Sequence, residues 1–123
     1  MEGDLTDSLI SEKTINFAVR IVRFYKYLCE EKKEYILSKQ ILRSGTSIGA
    51  NVRESRNAQS RADFISKLNI ALKEADETDY WLELMEKSEI IKSNQIADLK
   101  SDLNEITAIL VTSLKTLKNQ HTP

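Results

Sequence analysis

Apolar residues recur along this chain at alternating steps of three and four, the spacing of one face of an α-helix. They do so in four separate blocks. Phe17, Ile21, Phe24 and Leu28 form the first seam, and Ala18, Val22 and Tyr25 widen it. Ile41, Gly45, Ile48 and Val52 form the second. The third runs through Phe64, Leu68, Ala71, Ala75, Thr78, Leu82 and Met85. The fourth runs through Ile96, Leu99, Leu103, Ile106, Leu110, Ser113 and Leu117. Between the blocks, Glu30 to Glu34, Asn57 to Ser60 and Lys87 to Lys92 lose the period and carry mostly polar side chains.

This pattern predicts helices over about 7–31, 35–57, 61–87 and 93–118, with a mobile polar lead before them and a fraying tail after Lys118. Asp7 or Ser8 is expected to cap the first helix and Ser93 the fourth. Ser60 and Asp63 have the spacing of a capping box for the third. No segment alternates with period two. An all-α fold follows, an antiparallel up-down-up-down four-helix bundle forming one domain over residues 1–123.

The second block differs from the others in being rich in small and polar residues. Gly45 and Gly49 each cost about 1 kcal/mol relative to Ala in a helix interior. Their presence predicts close approach of a neighbouring helix, which a missing Cβ permits. Beside that seam runs a polar stripe, Ser44, Ser47, Asn51 and Glu54. It is expected to form a hydrogen-bond network that fixes register or subunit geometry, with a ligand site as the other reading. Tyr80 and Trp81 lie off the main seam of the third helix. They are either the edge of the bundle core or anchors of a subunit interface.

Composition narrows the class further. In 123 residues, 41% are apolar and 30% charged, which places the chain among globular proteins. The one Pro is Pro123, so the interior is free of the strongest helix breaker. A formal charge of −1 gives no global attraction for nucleic acid or anionic membrane. The charge is uneven, however. Residues 1–60 hold ten Lys/Arg against eight Asp/Glu, and residues 61–123 hold eight against eleven. Cys29 is the lone cysteine, which excludes an internal disulfide and suits a reducing compartment. With no signal-peptide pattern and no apolar run of membrane-spanning length, a soluble cytoplasmic protein is expected.

Candidate chemistry is sparse. A di-iron bundle needs Glu-x-x-His pairs, and the only histidine is His121, in the tail. Glu74, Asp76 and Glu77 are dense but interspersed with polar neighbours, as on a solvated face. Ser44, Ser47 and Cys29 have no histidine partner in an ordered segment, and no Gly-rich phosphate loop follows a strand. No metal, cofactor or catalytic residue is therefore expected. Basic residues remain: Lys13, Arg20 and Arg23 on the first helix, and Lys39, Arg43, Arg53, Arg56 and Arg61 on the second and its exit. An oligomer would repeat this patch around its axis, and weak phosphate contacts would add up. The other reading is an ordinary solvated charged face.

The string Ser47-Ile-Gly-Ala-Asn-Val-Arg-Glu54, followed by Ser60-Arg-Ala-Asp-Phe-Ile and onward to Tyr80-Trp-Leu82, resembles the bacterial four-helix bundle proteins. That family includes the 23S rRNA intervening-sequence proteins and the accessory variability protein of diversity-generating retroelements. The resemblance implies the same bundle, a ring-like homopentamer with Asn51 and Glu54 at matching positions, and RNA-related work without catalysis. The expected function is thus a non-enzymatic homo-oligomer that binds RNA or a ribonucleoprotein partner. Arg20, Arg23, Lys39, Arg43, Arg53 and Arg56 are its candidate contacts. The alternative is a protein-binding scaffold or adaptor whose partner surface surrounds Trp81.

Overall fold

The computed structural model describes residues 4–119 of the chain. It contains four helices, α1 (Asp4–Glu30), α2 (Leu37–Ser55), α3 (Arg61–Lys87) and α4 (Ser93–Asn119). Each packs against its two neighbours, α1 on α2 and α4, and α3 on α2 and α4. This is the all-α four-helix bundle that the apolar spacing implies. His121 and the first three residues of the polar lead lie outside the described residues.

The seams meet in one core. Phe17, Ile21, Leu28, Ile41, Ile48, Leu82, Met85, Ile96, Leu103, Ile106 and Leu110 are all at most 1% exposed. Burying each such side chain contributes about 1.5–3 kcal/mol, which is what holds helices of modest intrinsic propensity together. The fourth seam departs from expectation at its end. Leu114 is buried and Ser113 only half-buried, so the last step is four rather than three. At 3.6 residues per turn a strict heptad drifts around the helix, and the longer step brings the seam back to the core.

Helix ends are where the sequence pattern was least informative. α1 begins at Asp4, ahead of both expected caps. α2 begins at Leu37 because Glu34 acts as its cap from outside the helix. Its carboxylate accepts the Leu37 and Ser38 N–H groups at 3.1 and 2.7 Å. The α3 capping box forms with a shift of one residue. Ser60 Oγ accepts the Asp63 N–H at 3.0 Å, while Asp63 reaches back to the N–H of Gln59 at 3.2 Å. At α4 the expected cap Ser93 is already inside the helix, and Gln95 Oε1 accepts the Lys92 N–H instead, at 2.8 Å.

α2 is the helix most extensively packed, and its small residues explain how. Gly45 faces Ile21: a Cβ built there would lie 2.8 Å from Ile21 Cγ1 and 2.9 Å from Cγ2. Gly49 lies over Thr14 with more room, its nearest approaches 3.3 Å. Contact between α1 and α4 is the slackest. It is supplemented at the surface by Lys13–Glu105 at 3.2 Å and Arg20–Asp102 at 2.9 Å.

Candidate nucleic-acid and assembly surfaces

The polar stripe of α2 runs along its border with α3, and its members do different work. Ser44 is fully buried, and its hydroxyl lies 2.9 Å from Thr78 Oγ1. Thr78 in turn donates to the Glu74 carbonyl at 2.7 Å, so Ser44 is the donor between the two hydroxyls. Ser47 and Asn51 turn back onto their own helix, to the carbonyls of Arg43 and Ser47 at 2.6 and 2.9 Å. Glu54 is exposed and pairs with Lys67 at 3.1 Å. The stripe therefore joins α2 to α3 at Ser44 and Glu54, with Asn51 spent locally.

Beside Ser44 lies a charged cluster that depends on the register between α2 and α3. Arg43 bridges Glu74, at 3.2 Å, and Glu77, and Glu77 also accepts the Trp81 indole N–H at 3.0 Å. The Trp81 N–H first, and the Arg43 guanidinium second, hold the Glu77 carboxyl below the ordinary carboxylate range. Trp81 is half-buried against the core, and the exposed ring of Tyr80 meets it edge-on with centroids 5.1 Å apart. Glu74 and Glu77, dense in sequence, are thus taken up by an arginine.

The candidate cations divide into two groups. Arg20 is held by Asp102, and Arg43 by Glu74 and Glu77. Arg23, Lys39, Arg53 and Arg56 are exposed and take part in none of the ion pairs found among the described residues. Arg61 donates to the Leu117 carbonyl at 2.6 Å, a cation at the end of α4 where the dipole favours one.

A second surface was missed by the sequence reading. Ile15, Val19 and Val22 form an exposed stripe on α1, although Val22 was grouped with the core seam. Beside them a groove of about 260 Å3 runs between α1 and α2. Its floor is made of small residues, among them Ala18, Thr46, Gly49 and Ala50, and Arg53 stands at its rim. Exposed β-branched residues next to a groove lined mostly by small side chains offer a shape into which another chain can fit.

With this geometry in place, the chain can be set beside known proteins. The description of a family as 23S rRNA-intervening sequence protein matches residues 6–112, nearly the whole bundle. The chain belongs to that family. Among solved structures it is similar to a protein of unknown function from the S23 ribosomal protein family of Bacteroides thetaiotaomicron. The two are 56% identical over 89% of this chain and 98% of that one, with a TM-score of 0.87. No curated protein matches the chain. In this family member, no helix among the described residues is long and apolar enough to cross a membrane.

Proposed function

We propose that this member of the 23S rRNA-intervening sequence protein family is a non-enzymatic, homo-oligomeric cytoplasmic protein that binds RNA or a ribonucleoprotein. The observation that carries the reading is the division of its cations. Arg23 on α1, Lys39 and Arg53 on α2, and Arg56 just past its end have no carboxylate partner among the described residues. Four such groups on one protomer bind phosphate weakly, and repetition in an oligomer multiplies the effect. The stripe of Ile15, Val19 and Val22, with the groove beside it, supports self-association.

The test compares two variants. Arg23→Ala/Arg53→Ala/Arg56→Ala removes cations with no ion pair among the described residues, whereas Arg20→Ala/Arg43→Ala removes paired ones. For RNA binding followed by fluorescence anisotropy across a salt series, the triple variant should lower the slope of log affinity against log salt by roughly two units. The double variant should change it far less. Equal slopes for wild type and triple variant would remove these residues from the site. The second reading, a protein-binding scaffold with no nucleic-acid role, is favoured by the same α1 stripe. Light scattering with Val19→Glu separates them. A fall in mass with RNA binding weakened supports the oligomeric RNA binder, and loss of a protein partner from a chain that ignores RNA supports the scaffold.

A further inference from the structure

The connection between α1 and α2 presents side chains that the fold itself does not use. Ile36 is 75% exposed and Tyr35 52%, and they are adjacent at one end of the bundle. The turn that carries them is well fixed. The Glu34 N–H donates to the Leu28 carbonyl at 2.9 Å, and the Glu31 N–H to the Tyr27 carbonyl at 2.8 Å. Lys33 sits at φ 55°, in the left-handed region that non-glycine residues rarely adopt. Glu34 is turned onto the backbone, accepting the Ile36, Leu37 and Ser38 N–H groups at 3.2, 3.1 and 2.7 Å.

That inward turn has a chemical consequence for the outer surface. The acidic side chain nearest Tyr35 is occupied by backbone donors, while Lys32, Lys33 and Lys39 remain exposed. None of the three takes part in an ion pair found among the described residues. Tyr35 is likewise absent from the aromatic pairs formed by Phe24 with Tyr27 and by Tyr80 with Trp81. A rigid loop thus offers a free aromatic face and an apolar side chain between lysines. Glu30 and Glu31, also exposed at the end of α1, keep the local charge low, so attraction for phosphate alone is weak. A contact here needs a flat apolar component as well.

We propose that Tyr35 is a stacking platform for an unpaired nucleotide of RNA, with Lys32 and Lys33 against the adjoining phosphates. The inference rests on the RNA-binding reading above and adds the class of RNA, single-stranded or looped rather than continuous duplex. Bases splayed from a strand stack on aromatic side chains, whereas bases inside an A-form helix are not available to do so. A protein partner fits the tip less well, because lysine is depleted from protein interfaces and the apolar area is only two residues wide.

Anisotropy with the full chain tests the proposal, using an unstructured single-stranded RNA and a fully paired RNA duplex as probes. Wild type should prefer the single strand. Tyr35→Ala should weaken that binding roughly ten- to hundredfold, the range of base–aromatic stacking, without changing the salt slope. Tyr35→Phe should retain it, and Lys32→Ala/Lys33→Ala should lower the slope by about one unit. Tyr35 is exposed, and an unchanged circular dichroism spectrum checks that the variants keep the fold. Equal single-strand affinity for wild type and Tyr35→Ala would overturn the proposal and leave the RNA-binding reading standing. Wild type that binds neither probe would overturn both. A loss of oligomer mass in Tyr35→Ala, with RNA affinity intact, would reassign the tip to a protein contact.

Discussion

Replacing Gly45 by Ala sets two known effects against each other, and the structure decides which wins. Ala is about 1 kcal/mol better than Gly in a helix interior, so propensity alone favours the variant. The new methyl would stand 2.8 and 2.9 Å from Cγ1 and Cγ2 of Ile21, which is 0% exposed. Both atoms branch from the Ile21 Cβ, so no rotation about χ1 clears them together, and a β-branched side chain in a helix has one strongly preferred rotamer. Relief requires α1 and α2 to separate by about 0.7 Å, if ordinary carbon contacts of about 3.5 Å are to be restored. Overpacking of this kind costs about 1–3 kcal/mol. The net effect expected is a destabilisation of up to about 2 kcal/mol, read as a lower urea midpoint with an unchanged slope. Ile21→Ala removes the obstacle. In that background Gly45→Ala should instead stabilise by about 1 kcal/mol, as propensity and partial filling of the cavity act together. Gly49→Ala, with approaches of 3.3 Å to Thr14, should lie within about 0.5 kcal/mol of wild type. The reasoning is refuted if Gly45→Ala stabilises wild type, or destabilises both backgrounds equally.

Two further outcomes follow from the α2–α3 boundary. Thr78→Val should destabilise by about 1–2 kcal/mol in urea unfolding, because it leaves the buried Ser44 hydroxyl without its 2.9 Å partner. Ser44→Ala/Thr78→Val should cost less than the two single changes added, and strict additivity would show that the hydroxyls do not act as a pair. The Glu77 carboxyl, held low by Trp81 and then Arg43, contributes stability at pH values above the ordinary Glu pKa of about 4.3 and loses it as pH falls through the lower folded value. Emission from Trp81, the only tryptophan, should therefore show an acid titration below the ordinary carboxylate range that is absent in Glu77→Gln. An identical titration in that variant would assign it to another group.

The fold was legible because burial repeats locally. Ile96, Leu99, Leu103 and Ile106 declare a face without reference to any other helix, and so does the Leu68–Ala71–Ala75 series. Gly45 and Gly49 correctly announced close approach, though not that Ile21 and Thr14 are what approaches. The candidate site was much less legible, for a physical reason. Arg20 and Asp102 are 82 positions apart and Arg43 and Glu77 are 34 apart, so their pairing depends on how separate helices register. A helical wheel cannot show which cations will find carboxylates. Nor can it show which flank of a broad apolar face is covered, and for this reason Val22 was grouped with the core while its exposed run with Ile15 and Val19 went unnoticed. Glu34 was also invisible as a cap, because it acts from outside the helix it caps.

Much of the α2 stretch from Ser44 to Ser55 is taken up by packing. Ser44, Gly45, Ile48, Val52 and Ser55 are buried, and Gly49 is pressed against Thr14. Asn51 and Ser47 are hydrogen-bonded to their own helix. These residues set how closely α2 lies between α1 and α3. The proposed RNA binding would use what the packing leaves over, namely Arg23, Lys39, Arg53, Arg56 and the Lys32–Ile36 turn. The two sets respond to different forces, packing in one and, under the proposed reading, screened charge with stacking in the other. It follows that exchanging the exposed set for neutral residues should leave the urea midpoint nearly unchanged while removing RNA affinity. Changing Gly45 should lower stability while leaving the exposed charge intact. Family membership, read from the packed string, therefore identifies an architecture, and the ligand has to be read from the exposed residues of each member.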